Sequence, residues 1–137
     1  MARILLADDD PELREVLRAW LSIRYDVTVV GDGEAVLAEV ERERPDILVC
    51  DMVMPRLGGM DVVERIKANP ETADLPICMI TASTKGSDTY DYVWQMAADT
   101  DGFITKPFEP QELMAKIDRI LQKVVAKRRA QREADGH

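Results

Sequence analysis

The sequence is poor in histidine, cysteine and aromatic residues. Its 137 residues include one histidine, two cysteines and only 5% aromatic residues. Cys50 and Cys78 each lie inside an apolar run, where cysteine behaves as a small hydrophobic residue, so we predict two buried free thiols rather than a disulfide or a metal-binding pair. The one histidine, His137, is terminal, and we assign it no role.

Long hydrophobic runs are absent as well. No apolar run approaches the length of a membrane span, and the apolar stretch after Met1 is too short for a signal peptide. We therefore expect no membrane association and a location in the reducing cytoplasm.

Acidic residues outnumber basic ones, and the excess is unevenly distributed. The chain has 18 Lys and Arg against 26 Asp and Glu, a net charge of -8. Residues 1–118 carry 12 basic and 24 acidic side chains (net -12), whereas residues 119–132 carry six basic and no acidic ones. Because so acidic a body repels phosphate backbones and anionic lipids, we consider nucleic acid an unlikely partner for this chain alone.

The basic stretch suggests where the domain ends. The apolar period stops at Val124, so we predict one domain over residues 1–124 and a basic C-terminal helical extension or linker stump over residues 125–137. The stretch has three interpretations: a solvated helix end, a linker into an output domain, or a docking or nucleic-acid patch. The last is the least favoured, because no aromatic residues are interleaved with the cations.

Short apolar runs rich in Ile and Val alternate with segments of helical period. The runs are too short for helices and predict five buried strands at residues 4–7, 27–30, 47–50, 77–80 and 103–105. The segments between and after them predict five helices: one capped by Asp10 and begun by Pro11, others at 34–43, 59–68 and about 88–98, and one with its apolar period over 113–124. Strict alternation predicts an α/β fold, a (βα)5 doubly wound parallel five-stranded sheet.

Polar residues stand where the predicted strands end, and in such sheets ligands bind at that edge. Asp8 and Asp9 follow the first strand, Asp51 the third, Thr81 the fourth and Lys106 the fifth. Crowded carboxylates repel one another and either raise a pKa or take up a cation. Oxygen ligands favour Mg²⁺, with Mn²⁺ as a substitute, over Zn²⁺. Lys106 and Thr81 suit the oxygens of a phosphoryl group. Since there is no Gly-x-x-x-x-Gly-Lys loop, the phosphoryl donor is expected to be another molecule.

In combination, these motifs resemble those of the receiver domains of two-component response regulators, and the resemblance runs from about Arg3 to Val124. Its motifs are Asp8-Asp9, Asp51-Met52-Val53-Met54-Pro55, Thr81-Ala82 and Phe103-Ile104-Thr105-Lys106-Pro107-Phe108. The resemblance implies the flavodoxin-like strand order 2-1-3-4-5 and a stand-alone receiver similar to the chemotaxis regulators. It also implies a phosphoprotein that is not an enzyme, but a signalling domain that catalyses only its own phosphorylation and dephosphorylation.

The resemblance assigns roles to the site residues. It makes Asp51 the phosphoryl acceptor, which forms 4-aspartylphosphate by taking the group from a sensor histidine kinase or a histidine phosphotransfer protein. It implies that Asp9, Asp51 and the backbone carbonyl of Val53 bind Mg²⁺, that Asp8 assists through water, and that Lys106 pairs with the phosphoryl group.

The same resemblance assigns the switch to Thr81 and Phe103, which would change the surface made by the fourth predicted helix, the fifth strand and the last helix. Val53 and Ser83 provide no carboxylate or amide to position an attacking water, which suggests slow self-dephosphorylation.

Other functions share parts of this pattern. One alternative, with the same chemistry, is that the chain is a receiver excised from a larger regulator or hybrid kinase. A Mg²⁺-dependent phosphatase of the haloacid dehalogenase type also uses an Asp nucleophile after a parallel strand. Such enzymes carry the motif Asp-x-Asp at the nucleophile, whereas position 53 of this sequence is Val. A flavodoxin-like FMN binder is disfavoured because Asp8, Asp9 and Asp10 would repel the phosphate.

Overall fold

The structure, a computed structural model, describes residues 1–82 and 100–136. The helix predicted at about 88–98 and the position of Ser83 lie outside the described residues, as does His137.

Strands and helices alternate along the described chain. The strands are β1 (Arg3–Ala7), β2 (Asp26–Val30), β3 (Ile47–Asp51), β4 (Ile77–Thr81) and β5 (Gly102–Thr105). The described helices are α1 (Pro11–Leu21), α2 (Gly33–Arg42), α3 (Gly59–Ala68) and α4 (Pro110–Asp135). Each strand lies within one residue of its predicted bounds. The prediction of buried strands holds for the three central strands β1, β3 and β4. It is wrong for β2, which has no buried residue, and for β5, where only Ile104 is buried, because these two strands lie at the edges of the sheet.

All strand pairs are parallel, and the sheet has the order β2-β1-β3-β4-β5. The predicted fold class and strand order are therefore confirmed. The order reverses at β1, which lies between β2 and β3, so the crevice for a ligand lies above the carboxyl ends of these strands. Ala7 is level with Cys50 in the ladder, so the chain leaves β1 and β3 at the same height, and Asp8 and Asp51 come together there.

Two apolar clusters cover the two faces of the sheet. One contains Leu5 and Leu48 together with side chains of α2 and α3. The other contains Ile4 and Leu6 with side chains of α1 and α4. Neighbouring residues of β1 thus point to opposite faces, and both faces are dry. This arrangement explains why the strands are apolar without alternation.

Both cysteines are buried and unpaired, as predicted. Burial raises the pKa of the Cys78 thiol to about 12, and it also raises the pKa of Cys50. Neither thiol is therefore ionised at neutral pH, which fits a packing role for both side chains.

The first two helices begin at aspartate caps. The Asp10 carboxylate accepts hydrogen bonds from the backbone N–H groups of Glu12 and Leu13, which confirms its predicted capping role. Asp32 caps α2 in the same way by accepting from Ala35 N at 2.8 Å. The last helix, α4, starts with a reciprocal capping box between Glu109 and Glu112.

Helix α4 continues well beyond the end of its apolar period. Its last buried side chain is Ile120, yet the helix runs on through Val124 to Asp135, and residues 126–136 are all exposed. The predicted extension is thus helical up to Asp135, while the domain boundary at Val124 stays a prediction. Over the part of the chain that is described, no helix has the length and apolar character needed to cross a membrane.

A polar contact connects α4 to the turn before β2. Tyr25, which is only 8% exposed, donates a hydrogen bond to the Asp118 carboxylate on α4, and Arg24 forms an ion pair with the same carboxylate. Burial and the negative charge of Asp118 raise the pKa of Tyr25 to about 12. The contact fastens α4 to the edge of the sheet opposite the strand ends that carry the aspartates.

We predict that Tyr25→Phe lowers the free energy of unfolding by about 1–2 kcal/mol at neutral pH, because a hydrogen bond to a charged acceptor is lost. Since the pKa of Tyr25 is raised in the folded state, this contribution is present below its ordinary pKa of 10 and is lost as the pH rises toward about 12. Urea unfolding of the two proteins across this pH range measures the difference.

The control is the same substitution in an Asp118→Asn background, where the effect of Tyr25→Phe should be smaller. A difference between the two proteins that stays constant from neutral pH to about pH 12 would contradict the assignment.

Candidate functional site

Three aspartates meet at the carboxyl edge of the sheet. Each of Asp8, Asp9 and Asp51 offers one carboxylate oxygen, and these oxygens all lie within 4.8 Å of one another. Asp8 and Asp51 are buried, at 0% and 5% exposure, whereas Asp9 is exposed. The site is therefore a pocket with two dry carboxylates and a third at its mouth.

Lys106 lies between the two buried carboxylates. Its Nζ is 3.1 Å from Asp51 Oδ2, to which it donates a hydrogen bond, and 3.1 Å from Asp8 Oδ2. Burial lowers the pKa of Lys106, but the hydrogen bond to Asp51 and the charge of Asp8 outweigh that effect and raise it. The side chain therefore stays a cation at neutral pH.

The backbone around Lys106 is held by the neighbouring strand. Lys106 N donates a hydrogen bond of 2.7 Å to the carbonyl oxygen of Thr81, and the peptide bond between Lys106 and Pro107 is cis. The last residue of β4 thus positions the residue that follows β5.

Asp51 has a different contact at each oxygen. Oδ2 faces Lys106, while Oδ1 accepts a hydrogen bond of 3.2 Å from the backbone N–H of Val53. Burial raises the pKa of Asp51, and the Asp8 carboxylate adds to this, so that together they outweigh the Val53 N–H and Lys106. The Val53 side chain itself is 71% exposed. The predicted role of Val53 as a Mg²⁺ ligand uses its backbone carbonyl and therefore does not depend on this side chain.

Asp8 has one satisfied and one unsatisfied oxygen. Its Oδ1 accepts from Asp10 N at 2.9 Å, whereas the buried Oδ2 has no hydrogen-bond partner among the described residues, although Lys106 lies within ion-pair distance. A buried carboxylate oxygen without a donor is expensive. This oxygen, together with a donor set made only of oxygens, fits a hard cation such as Mg²⁺.

The two predicted switch residues lie near the pocket at different depths. Thr81 is buried at the end of β4, one residue beyond Ile80, which is level with Asp51 in the ladder. Phe103 lies on β5, half-buried against the core cluster on the α2–α3 side of the sheet, with the Nζ of Lys116 5.7 Å from its ring centroid. The structure thus brings the predicted carboxylates and Lys106 together, places Thr81 beside them, and places Phe103 three residues before Lys106.

Several residues that shape the site carried no role in the sequence analysis. Arg14 donates a hydrogen bond of 2.8 Å from Nη1 to the carbonyl oxygen of Asp8. Gly59 packs so closely on the end of β3 that a Cβ there would lie 2.2 Å from the Asp51 carbonyl oxygen. The Gly58-Gly59 pair was a signal visible in the sequence, whereas nothing distinguished Arg14 from the other arginines.

The loop between β3 and α3 contacts the start of α2. Arg56 has a φ of 68°, in the left-handed region, and its guanidinium lies 3.4 Å from the Asp32 carboxylate. A Cβ on Gly33 would lie 2.1 Å from the Leu57 carbonyl oxygen. The start of α2 therefore touches the loop that carries Val53, and only glycine fits at the contact.

Comparisons with known proteins agree with this geometry. The family model described as the response regulator receiver domain matches residues 4–118. The DNA-binding response regulator MtrA of Mycolicibacterium smegmatis is 39% identical over 84% of this chain and 48% of its own length. The chain thus spans about half the length of this curated relative.

Solved structures show the same fold. The crystal structure of a putative response regulator from Chloroflexus aurantiacus has a TM-score of 0.78 at 33% identity, with 88% of this chain and 98% of that chain covered. The chemotaxis response regulator CheY4 of Vibrio cholerae has a TM-score of 0.76 at 26% identity, with the same two coverages. Similarity therefore covers nearly the whole of these shorter proteins.

We predict that Gly59→Ala lowers the free energy of unfolding by about 1–3 kcal/mol, because its Cβ would meet backbone atoms of Asp51 and Met52 that cannot move independently of the strand. Gly58→Ala is the matched control, since a Cβ there meets only the Met52 carbonyl oxygen at 3.4 Å, and we expect a change within about 0.5 kcal/mol. Chemical unfolding of the two variants measures the contrast. Equal losses would show that the close approach at Gly59 does not limit stability.

We predict that Asp9→Asn weakens Mg²⁺ binding by roughly tenfold or more, because a carboxylate is lost from the cluster. Asp10→Asn removes the same charge one residue away but keeps a side chain that can cap α1, so its effect should stay below about threefold. Calorimetric titration of the unphosphorylated protein with Mg²⁺ measures both. Equal effects of the two substitutions would mean that the acid register is wrong by one residue.

Proposed function

Since this chain belongs to the receiver domains of response regulators, which accept phosphoryl groups in two-component signalling, we propose that Asp51 is the residue that accepts the phosphoryl group. The observation that carries the assignment is the position of Lys106, whose ammonium lies 3.1 Å from both Asp51 and Asp8 and donates a hydrogen bond to Asp51. Asp8 and Asp51 both have Lys106 near one oxygen and a backbone N–H on the other. Lys106 donates its hydrogen bond to Asp51, however, and Asp51 is 5% exposed whereas Asp8 is 0% exposed, so Asp51 is the buried carboxylate that remains open to a donor. A nucleophile held in this way is oriented before the donor arrives.

The proposed reaction is a transfer between two proteins. A carboxylate oxygen of Asp51 attacks the phosphorus of a phosphohistidine on a sensor histidine kinase or a histidine phosphotransfer protein. The P–N bond breaks, the electron pair stays on the imidazole nitrogen, and an acyl phosphate forms on Asp51. The balance requires no other reactant when the second ring nitrogen of the phosphohistidine carries a proton, because the leaving group is then a neutral imidazole.

The side chains of the pocket have separate tasks in this proposal. Lys106 remains protonated beside Asp51 and pairs with the negative oxygens that the transfer brings in. The Val53 N–H holds the second oxygen of Asp51, so the carboxylate does not rotate. Asp8, Asp9, Asp51 and the Val53 carbonyl would hold Mg²⁺, and when bound this ion supplies positive charge to offset the carboxylates and the phosphoryl group. Mn²⁺ would be its substitute.

Phosphorylation is proposed to change the surface of the protein through Thr81 and Phe103. A dianionic group on Asp51 provides new acceptors for the Thr81 hydroxyl, and movement of Thr81 opens space toward the Phe103 ring. Because Lys116 on α4 lies over that ring, rotation of the ring changes the surroundings of a cation on α4. Phe103 has no hydroxyl, so the switch acts by packing. The output surface then comprises the segment predicted as the fourth helix, β5 and α4.

The proposal extends to the setting of the domain. It is a signalling domain, and we propose that it catalyses only its own phosphorylation and dephosphorylation. The two unpaired buried cysteines support a location in the reducing cytoplasm. The same transfer chemistry serves a receiver that acts alone and one within a longer regulator, such as the relatives of twice its length. The net -12 charge of residues 1–118 argues against direct contact of this part with nucleic acid.

Asp51→Asn should abolish phosphorylation. We expect the wild-type chain, incubated with Mg²⁺ and acetyl phosphate, to gain one phosphoryl group that is lost at alkaline pH, as an acyl phosphate is, and intact-protein mass spectrometry measures it. Asp61→Asn, an exposed carboxylate in the first turn of α3, is the matched control and should be labelled like the wild type. Persistent labelling of Asp51→Asn would overturn the assignment of the acceptor.

A further inference from the structure

Arg14 contacts the acidic pocket through its backbone rather than through a carboxylate. It is half-buried on α1, and its Nη1 donates a hydrogen bond of 2.8 Å to the carbonyl oxygen of Asp8. That oxygen belongs to the peptide group that joins Asp8 to Asp9. The guanidinium therefore holds the orientation of the peptide from which the Asp9 side chain departs.

The loop after β2 leaves space for this guanidinium. A Cβ on Gly31 would lie 2.6 Å from Arg14 Nη1 and 3.4 Å from its Cζ. The amide of Asp8 in turn donates to the carbonyl oxygen of Val30 at 3.2 Å. Arg14 is thus inserted between the loops that follow β1 and β2, in a space that a side chain at position 31 would fill.

Arg14 makes its closest described polar contact with a neutral group and not with a carboxylate. Within residues 1–82 and 100–136, Arg14 has no carboxylate within ion-pair distance, although Asp8, Asp9, Asp10 and Glu15 are all near it in sequence. Arg18, one turn further along α1, behaves differently and pairs with Glu15 at 2.6 Å. The Arg14 guanidinium donates to a neutral peptide oxygen, the carbonyl of Asp8, instead.

Asp9 is the ligand whose direction depends most on its backbone. Its carboxylate accepts no hydrogen bond and forms no ion pair with any described residue, and its side chain is exposed. Asp8, by contrast, is held by Asp10 N, and Asp51 by Val53 N. Among the described residues, only the peptide group before Asp9 directs its carboxylate toward the other two.

We propose that Arg14 is a positioning residue, which holds the Asp8–Asp9 peptide so that the Asp9 carboxylate meets the other two and binds Mg²⁺. The proposal rests on the proposed function only in concerning the same pocket, since it is stated for metal binding and not for phosphoryl transfer. Contacts of this outer kind affect metal affinity by roughly 10–100-fold in other proteins.

The sign of the effect separates positioning from simple electrostatics. A cation near a metal site repels Mg²⁺, so loss of its charge alone would make Mg²⁺ bind more tightly. Loss of a hydrogen bond that orients a ligand makes Mg²⁺ bind more weakly. Arg14→Met removes the charge and the hydrogen bond together while leaving a side chain of similar length, so the direction of the change shows which effect is larger.

The experiment is a calorimetric titration of the full, unphosphorylated chain with Mg²⁺. We expect Arg14→Met to weaken Mg²⁺ binding by about tenfold. Arg18→Met is the matched control, because it removes an exposed arginine of the same helix whose partner is Glu15, and it should bind Mg²⁺ within about twofold of the wild type. Unchanged or tighter binding by a folded Arg14→Met protein would overturn the proposal.

Gly31→Ala tests the same contact without altering Arg14. Its methyl group would displace the flexible end of Arg14 from the Asp8 carbonyl oxygen, so Mg²⁺ binding should weaken in the same direction. Urea unfolding without Mg²⁺ establishes that each variant is folded, and Gly31→Ala decides the matter if Arg14→Met does not fold. Normal Mg²⁺ binding by folded Gly31→Ala would contradict the role of the contact.

The acetyl phosphate experiment separates this proposal from the function. A wild-type chain that binds Mg²⁺ but gains no phosphoryl group would overturn the function and leave the role of Arg14 standing. Normal phosphorylation of the wild type with unaltered Mg²⁺ binding by Arg14→Met would do the opposite.

Discussion

The contact of one ammonium with two buried carboxylates is the constraint on which the site depends. Lys106 follows β5, Asp8 follows β1 and Asp51 ends β3, so this contact joins the ends of three strands. Without the lysine, two carboxylates in a dry pocket would repel each other and take up protons. With it, the three carboxylates of the cluster and one ammonium leave a formal charge of -2, which is the charge that a divalent cation offsets.

The apolar sheet makes this arrangement possible. All residues of β3 and β4 are buried, so the strands offer no polar group along their length, and the chemistry is confined to the positions where each strand ends. The parallel register then sets the height of those positions, because Ala7 is level with Cys50 and Asp51 with Ile80. Packing on both faces therefore positions the reactive groups, although none of the packing residues takes part in the chemistry.

The sequence was sufficient for features that depend on local pattern. Runs such as Ile47–Asp51 predict buried strands because a short apolar segment fits a sheet that is covered on both faces. The parallel topology then predicts that the acids at the ends of these strands meet at one edge of the sheet. The contacts of Arg14 and Gly59 were not predictable, although the Gly58-Gly59 pair is visible in the sequence, because each contact depends on a close approach between segments whose separation only the fold defines. The segment over residues 125–137 was predicted as either a helical extension or a linker stump, because it has no apolar period to decide between them. Beyond Val124 its residues are mostly Ala, Lys, Arg, Gln and Glu, which favour the helix that forms.

The continuity of α4 has a mechanical consequence. The core covers the helix up to Ile120, Leu121 packs on the same cluster and Val124 is half-buried, whereas residues 125–135 are exposed, over a distance of about 15 Å at 1.5 Å per residue. A tilt of about 10° in the covered part, where Lys116 lies over Phe103, would displace the exposed end by about 3 Å. The exposed part of the helix would thus enlarge a small rotation near the pocket into a displacement of a few ångströms at an end that carries several arginines.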